Sequence, residues 1–163
     1  MEKKMSEVAR QVPCSVVLLS VAGKKKRDAM TATCMFVSEN PAYFVVSVAR
    51  STTTGQLIEE SAEFVLNIAA AGQVKLAKAL GATHGDRVDK FAKFKIGIEK
   101  SKVIASPGIK GSYAFLECRV ITSYPVGKYT MYLAEAVASR VDEKAVPLAW
   151  LNNRYFALEK PVG

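Results

Sequence analysis

The stretches SYAFLECRVIT (Ser112–Thr122) and YTMYLAEAVASRV (Tyr129–Val141) decide the fold class of this 163-residue sequence. In the first, small and apolar residues alternate with aromatic and charged ones, the period of two that is typical of a half-exposed strand. In the second, small or apolar residues occupy both faces, so we expect a long strand that helices or a second subunit cover. Pro125–Gly127 predicts the turn between them. Two long neighbouring strands indicate a mainly β protein.

The amino-terminal half extends this pattern with shorter strands. Pro13–Ala22 and Ala29–Ser38 flank the polar segment Gly23–Asp28 and predict a hairpin. After a break at Asn40-Pro41, the segment Tyr43–Val48 is too short and too rich in β-branched residues for a helix. Many short strands with few helices favour a closed antiparallel β-barrel that a few helices cover.

Two helices are expected to interrupt the strands. Thr53 stands three residues before Gln56, which is the spacing of a capping box, so Thr53 is expected to cap a short helix that ends at Ser61. Phe64–Ile68 then returns to strand. Across Gln73–Leu80 the apolar residues recur at helical spacing, which predicts the second helix.

Composition bounds the function classes. The chain has 163 residues with 50% hydrophobic content and is expected to form a single domain over residues 1–163. No apolar run approaches the roughly 18 residues that a bilayer span needs, so no membrane partner is predicted. One histidine and three isolated cysteines supply no zinc or dithiol motif, so neither a metal site nor a catalytic side chain is predicted. Free cysteines favour a cytoplasmic protein.

The charge of the chain points to an anionic partner. The formal net charge is +8, and the positive residues concentrate between positions 73 and 110. Nucleic acid, acidic lipid and a phosphate-bearing cofactor would each satisfy such a charge. Composition alone leaves all three open.

The segment Ser47–Gln56 (SVARSTTTGQ) contains the parts of a phosphate site. A strand end is followed by Arg50, four consecutive hydroxyl residues and the start of a helix. Free amides and the positive end of the helix dipole attract phosphate, hydroxyls donate to its oxygens, and arginine binds it in bidentate fashion. The alternative is a threonine-rich loop that only caps the helix. The glycine motifs of nucleotide hydrolases and Rossmann folds are missing from the sequence, which disfavours both.

Five segments in order resemble the flavin reductase-like family, whose fold is the FMN-binding split barrel. Pro13–Ser20 is similar to the first strand of the family, and Met30–Pro41 to its strand of small and threonine residues followed by Ser and Pro. Ser47–Asn67 resembles the phosphate loop with its helix and next strand. Asp86–Phe91 resembles the family's DKF segment, and Tyr129–Val137 its long strand that ends in Gly-Glu-Val. The resemblance therefore covers nearly the whole chain.

The resemblance implies a bound FMN and assigns residues to each part of it. Four would line the isoalloxazine ring, largely through backbone groups: Thr31, Ala32, Thr33 and Cys34. Four would hold the ribityl phosphate, with Thr53 beside them as the helix cap: Ser47, Arg50, Thr52 and Thr54. Three would border the open face of the ring, where the nicotinamide of NADH or NADPH would stack: Gly85, Asp86 and Lys90.

The function that the resemblance implies is hydride transfer from NADH or NADPH to a flavin, as in a flavin reductase or ferric reductase. Hydride transfer between stacked rings needs no nucleophile or metal from the protein, which agrees with the composition. The resemblance also implies a homodimer with FMN near the subunit interface. Ferric complexes, free flavin or a partner oxygenase would be the downstream electron acceptor.

Two departures from the family pattern keep an alternative open. Tyr129 stands where many members have histidine, and Ala134 replaces the glycine before Glu135. An FMN-binding electron carrier without its own nicotinamide site is therefore the second hypothesis. His84, the only histidine, has no assigned role. A nucleic-acid-binding barrel of the OB type is disfavoured, because its candidate stacking aromatics lie where strand residues of the core are expected.

Overall fold

The computed structural model describes residues 4–163. It contains four α-helices in this range: α1 (Met5–Ala9), α2 (Thr53–Ser61), α3 (Val74–Ala82) and α4 (Lys90–Lys93). The strands are β1 (Cys14–Ser15), β2 (Val17–Ala22), β3 (Arg27–Ala32), β4 (Cys34–Glu39), β5 (Ala42–Ala49), β6 (Glu63–Ile68), β7 (Ile98–Glu99), β8 (Gly108–Ile109), β9 (Ala114–Val126), β10 (Tyr129–Val141), β11 (Leu148–Leu151) and β12 (Arg154–Ala157). None of the helices in residues 4–163 combines the length and apolar character that crossing a membrane requires.

A seven-stranded antiparallel sheet forms the centre of the molecule. Its strand order is β3-β2-β6-β9-β10-β5-β4, and a three-stranded sheet, β1-β11-β12, and the β7-β8 pair lie outside it. The prediction of a mainly β protein with a few helices is confirmed. The two long strands β9 and β10 pair with each other along most of their length, as the sequence pattern predicts.

The hydrogen-bonded sheet stays open between its edge strands, so the expectation of a closed barrel is not met in the described residues. The sheet order ends at β3 on one side and β4 on the other. Ser15 of β1 satisfies the backbone of Cys34 at this gap, because its hydroxyl accepts from the Cys34 amide (3.2 Å) and donates to the Cys34 carbonyl (3.0 Å). A side chain thus takes the place of ladder bonds at the start of β4.

Strand β2 divides the core into two layers. Val17, Leu19 and Val21 pack with the α2 residues Leu57 and Ile58 inside the sheet. On the other face, Val16 and Leu18 pack in a second cluster with residues of α3 and α4: Ala77, Leu80 and Phe91. A strand that is buried on both faces has a continuous apolar run instead of alternation. This explains the valine- and leucine-rich composition of the Pro13–Ala22 segment.

Three local predictions are wrong in detail. The predicted strand Ala29–Ser38 is divided at position 33 into β3 and β4. The strand β9 continues to Val126, so Pro125 lies in the strand and the turn falls at Gly127, whose φ is +56°. Glu117 was expected on a half-exposed face but is fully buried, because its carboxylate accepts from the amides of Lys102 (2.7 Å), Val103 (2.7 Å) and Ile104 (3.2 Å) and so fixes that loop.

Strand β10 is covered on one face only. Thr130, Tyr132 and Ala134 are buried, whereas Tyr129 and Met131 are exposed. Further apolar side chains on the adjoining strands are also exposed: Met35, Phe36, Val37, Ile121, Tyr124 and Val126. By strand register Met35, Tyr124, Val126, Tyr129 and Met131 lie on one face of the sheet, so the single chain leaves this apolar face uncovered. The cover by a second subunit that the sequence also suggested stays a prediction.

Candidate functional site

A polar cleft of about 150 Å³ lies between the start of α2, strand β3 and the loop that joins α3 to α4. Its lining combines hydroxyl, charged and glycine residues: Asp28, Met30, Thr31, Ser51, Thr52, Thr53, Thr54, Leu80, Gly81, Thr83, His84, Gly85, Asp86 and Lys90. Three segments that are distant in the sequence meet here. The cleft is the feature of the fold that gathers the predicted phosphate loop.

The start of α2 presents free backbone donors to this cleft. Thr52 is the N-cap: its hydroxyl accepts from the Gly55 amide (3.0 Å) and donates to the Ala49 carbonyl (2.8 Å). The prediction that Thr53 is the cap is therefore wrong by one residue. Since the first amides of a helix have no carbonyl in a preceding turn, those of Thr53 and Thr54 have no partner within α2. Thr53 is 4% and Thr54 0% exposed, so a ligand would reach these amides only from the cleft that both residues line. Together with the helix dipole they favour an anion.

A buried ion pair forms the base of the cleft. The Lys90 Nζ lies 3.1 Å from Asp28 Oδ1, and both side chains are only 3% exposed. Thr54 donates its hydroxyl to Asp28 Oδ2 (2.7 Å), and Lys90 also donates to the Ala29 carbonyl (2.6 Å). A buried carboxylate is stable only when charge and hydrogen bonds compensate it, and here a cation and a hydroxyl do so. The pair thereby fixes α2 against β3 and α4.

Gly85 packs directly against this ion pair. A Cβ atom at position 85 would lie 2.5 Å from Asp28 Oδ1, closer than any side chain tolerates. The absence of a side chain therefore lets the loop after α3 approach Asp28. The neighbours His84 and Asp86 line the cleft from the same loop and are exposed.

A second, apolar pocket of about 190 Å³ adjoins the cleft at Thr31. It is lined by Ser15, Val16, Thr31, Ala32, Thr33, Trp150 and Tyr155. The Thr31 hydroxyl donates to the Ala77 carbonyl (2.5 Å), which holds β3 against α3. Aromatic side chains beside backbone of small residues suit a flat ring system.

Cys34 lies next to this pocket and is hydrogen-bonded to Ser15. Burial raises the pKa of the Cys34 thiol, and the Ser15 hydrogen bond opposes that shift only in part. The thiol is therefore protonated at neutral pH and is a poor nucleophile. Residues 4–163 also contain no group of three or more His, Cys, Asp or Glu side chains that could hold a metal ion.

Nine of the twelve residues that the sequence singled out line one of the two spaces, and three do not: Ser47, Arg50 and Cys34, of which Cys34 is hydrogen-bonded to Ser15 of the apolar pocket. Thr31, Thr52, Thr53, Thr54, Gly85, Asp86 and Lys90 line the cleft, and Ala32 and Thr33 line the apolar pocket. Ser47 is exposed and pairs in register with Met131 on the sheet surface. The Arg50 guanidinium donates to the Gly127 carbonyl (2.5 Å) at the β9–β10 turn and lines neither space.

Sequence reasoning missed three residues of this region. Asp28 is the centre of the ion pair, and Trp150 and Tyr155 close the apolar pocket. The signal for Asp28 was a single acid between the basic run Lys24–Arg27 and a buried strand. No pattern near Trp150 or Tyr155 links them to residue 31, because that contact is tertiary.

The family profile described as "Flavin reductase like domain" matches residues 9–159. The chain therefore belongs to the flavin reductase-like family, and the resemblance found in the sequence is confirmed. The FMN reductase (NADH) of Cronobacter sakazakii is 24% identical over 126 residues, which are 77% of this chain and 74% of that protein.

Two solved structures show the same fold. The NADH:FAD oxidoreductase of Streptomyces globisporus C-1027 is similar with a TM-score of 0.86 and 22% identity, over 96% of this chain and 92% of that one. The flavoredoxin of Desulfovibrio vulgaris (Miyazaki F) is similar with a TM-score of 0.88 and 20% identity, over 100% of this chain and 96% of that one.

Proposed function

We propose that this protein is an NADH- or NADPH-dependent flavin reductase that binds its flavin along the cleft and the adjoining apolar pocket. The observation that carries the proposal is the start of α2. There the free amides of Thr53 and Thr54 and the surrounding hydroxyls meet a buried ion pair in a cleft of about 150 Å³. The family membership makes flavin the first ligand to test.

The residues present fit a flavin. Backbone amides, hydroxyls and the helix dipole are the donors that a phosphate needs, and they stand together at Ser51–Thr54. The apolar pocket with Trp150 and Tyr155 suits the ring, and Thr31 joins the two spaces. FMN would occupy both parts in this arrangement, and FAD is tested beside it because relatives named for each flavin are known.

The chain contributes binding and orientation rather than reactive groups. A bound flavin supplies the electrophilic ring position that accepts a hydride, and NADH or NADPH supplies that hydride. Thr52 keeps the first turn of α2 in place, so that its amides point at the phosphate. Ala32 and Thr33 offer backbone groups to the ring edge where negative charge accumulates on reduction. The neutral Cys34 thiol adds no competing nucleophile.

The loop of Gly85 and Asp86 borders the cleft on its open side. We assign it, as the resemblance suggests, to the entrance that the nicotinamide nucleotide uses. Lys90 does not border the open face as the resemblance implied. Its Nζ forms an ion pair with Asp28 and donates to the Ala29 carbonyl beneath the cleft. Its role in the proposal is to hold the phosphate loop from below.

An FMN-binding electron carrier without a nicotinamide site is the second candidate. The likeness to the flavoredoxin, with its TM-score of 0.88, and Tyr129 in place of the family's histidine favour it. In this case the flavin occupies the same cleft, and only the electron donor differs.

A titration followed by an assay on the same sample tests these functions. We expect FMN or FAD to change its visible absorbance on binding, and the sample to oxidise NADH or NADPH faster than a protein-free control with excess flavin. Binding without nicotinamide oxidation would leave the carrier. No binding of either flavin would overturn both candidates.

The apolar sheet surface supports a homodimer. The exposed side chains of β4, β9 and β10 include Met35, Tyr124 and Met131, which are 60%, 55% and 36% exposed. An apolar area of this kind marks an interaction surface. Light scattering during gel filtration should give the mass of two chains, and Met131→Glu should shift it to the mass of one.

We also propose a domain organisation, a cellular location and electron acceptors for this protein. Residues 1–163 form one domain, and the sheet has the split-barrel arrangement, with Ser15 bridging its edge at Cys34. The protein acts in the cytoplasm and passes electrons to ferric complexes, free flavin or an oxygenase. Neither a membrane nor a nucleic acid is a partner in this proposal.

A further inference from the structure

A groove of about 650 Å³ lies beside the cleft, and the proposed function uses only the loop of Gly85 and Asp86 at its border. It runs between the turn that joins β2 to β3 and the loop that precedes α4. Its volume falls within the range of small-molecule sites. Gly85 and Asp86 line both the cleft and this groove, so the two spaces adjoin.

The groove is strongly cationic. Five of its lining residues carry a positive charge and are exposed: Lys24, Lys25, Lys26, Arg27 and Arg87. The two ion pairs in residues 4–163 are Lys90–Asp28 and Arg140–Glu99, so neither neutralises these side chains. The groove also contains the carboxylates of Asp86 and Asp89, and the latter accepts the Ala92 amide as the cap of α4 (3.1 Å). Cations therefore remain in excess, which favours an anionic ligand.

The groove also offers a planar surface. The Arg27 guanidinium lies 4.6 Å from the centre of the Phe91 ring. A guanidinium that an aromatic ring holds on one face presents its other face for stacking with a flat heterocycle. Val88 adds apolar surface in the same groove. Cationic side chains next to a stacking plane suit a nucleotide with its phosphate.

The direction from cleft to groove follows the phosphate end of the flavin. Thr54, at the start of α2, is hydrogen-bonded to Asp28, and Gly85 packs against the same carboxylate. Gly85 and its neighbour Asp86 line both the cleft and the groove. A ligand whose first phosphate lies at Thr53 and Thr54 and continues beyond it therefore enters the groove.

We propose that the basic groove binds the adenylate half of FAD, meaning the second phosphate and the adenosine that FMN lacks. This inference rests on the proposed function, because it places the first phosphate at α2. It makes FAD the preferred flavin and FMN the weaker one. NADH and NADPH carry an adenylate half as well, and the experiment separates the two sources.

Isothermal titration calorimetry with FMN and FAD tests the groove directly. The variant is Lys24→Ser/Lys25→Ser/Lys26→Ser, and its control is Lys100→Ser/Lys144→Ser/Lys160→Ser, which removes three exposed lysines from surfaces outside both spaces. We expect the wild type to bind FAD at least tenfold more tightly than FMN. The groove variant should weaken FAD at least fivefold and FMN less than twofold, and the control variant should weaken neither.

Four other results overturn the inference. Equal wild-type affinities for FMN and FAD, or equal losses of both in the groove variant, would reject the groove and leave the proposed function standing. A raised KM for NADH or NADPH, measured with saturating FMN, together with unchanged FAD binding would assign the groove to the nicotinamide nucleotide instead. No binding of either flavin by the wild type would reject the proposed function and this inference together.

Discussion

In the cleft, the side chains of Asp28 and Lys90 are each only 3% exposed. In the groove, Lys24–Lys26, in the turn that leads into the strand of Asp28, are exposed to solvent. The cleft holds its polar groups by burial and mutual hydrogen bonds, so their positions are set before a ligand arrives. The groove holds its cations in water, where salt screens them and their side chains move. Substitutions in the cleft should therefore affect both folding stability and ligand binding. Substitutions in the groove should affect ligand binding alone.

The largest effect is expected from Lys90→Met. This change leaves the Asp28 carboxylate buried without its cation, which typically costs about 3–5 kcal/mol of unfolding free energy. Urea denaturation measures the loss. Lys93→Met is the matched control, because Lys93 lies on the same helix and is exposed. A loss below about 1 kcal/mol, the scale of an exposed pair, would contradict the contrast between cleft and groove.

Arg50→Ala tests an exposed residue that directly precedes the cleft in the sequence but lines neither the cleft nor the groove. Arg50 is exposed, directly precedes Ser51 of the cleft, and is bonded to the Gly127 carbonyl. We expect the guanidinium to leave the Gly127 carbonyl and to bind the flavin phosphate when FMN is present, so the variant should weaken FMN binding by about 1.5–3 kcal/mol, the scale of a hydrogen bond to a charged group. Calorimetric titration gives the dissociation constant, with Arg154→Ala as the control. An unchanged constant would show that the guanidinium serves only the β9–β10 turn.

Thr52→Ala should have a smaller effect on stability. The Thr52 hydroxyl caps α2 by accepting the Gly55 amide. Loss of such a cap costs about 1 kcal/mol. Thermal unfolding and FMN titration should both show the loss, and Thr52→Ser should restore both because it keeps the hydroxyl. A Thr52→Ser variant that is as weak as Thr52→Ala would point to the methyl group instead of the cap.

Cys34→Ala should change the rate of NADH oxidation less than twofold. Burial raises the pKa of the Cys34 thiol, so the thiolate that would react is scarce at neutral pH. For the same reason, alkylation of Cys34 by iodoacetamide should be slow at pH 7 and accelerate as the pH rises above 9. Peptide mass spectrometry follows the alkylation. A tenfold loss of activity in Cys34→Ala would give the thiol a role that the account denies it.

Periodic patterns allowed much of the fold to be predicted from the sequence. Strands with clear alternation or continuous apolar runs were found, among them β2, β5, β6, β9 and β10. The short strands β1, β7 and β8 have two residues each, too few to show a period. Whether the sheet closes could not be predicted from any single strand, because it depends on the tertiary placement of the edge strands β3 and β4.

Individual segments of the site were predicted from the sequence, but the tertiary contacts between them were not. Thr52–Thr54 and the Gly85–Lys90 segment were recognised because hydroxyls before a helix and a family motif are local signals. Asp28 was missed because its partner Lys90 is 62 residues away. Ser47 and Arg50 were placed by their position in the chain, whereas strand register and side-chain direction decide where they point.

A crystal structure of the complex with FMN would show whether the flavin phosphate binds at the start of α2. We expect phosphate oxygens within hydrogen-bond distance of the Thr53 and Thr54 amides, above the Lys90–Asp28 pair. A phosphate bound instead at Ser47 on the outer surface of the sheet, with the cleft empty, would contradict it.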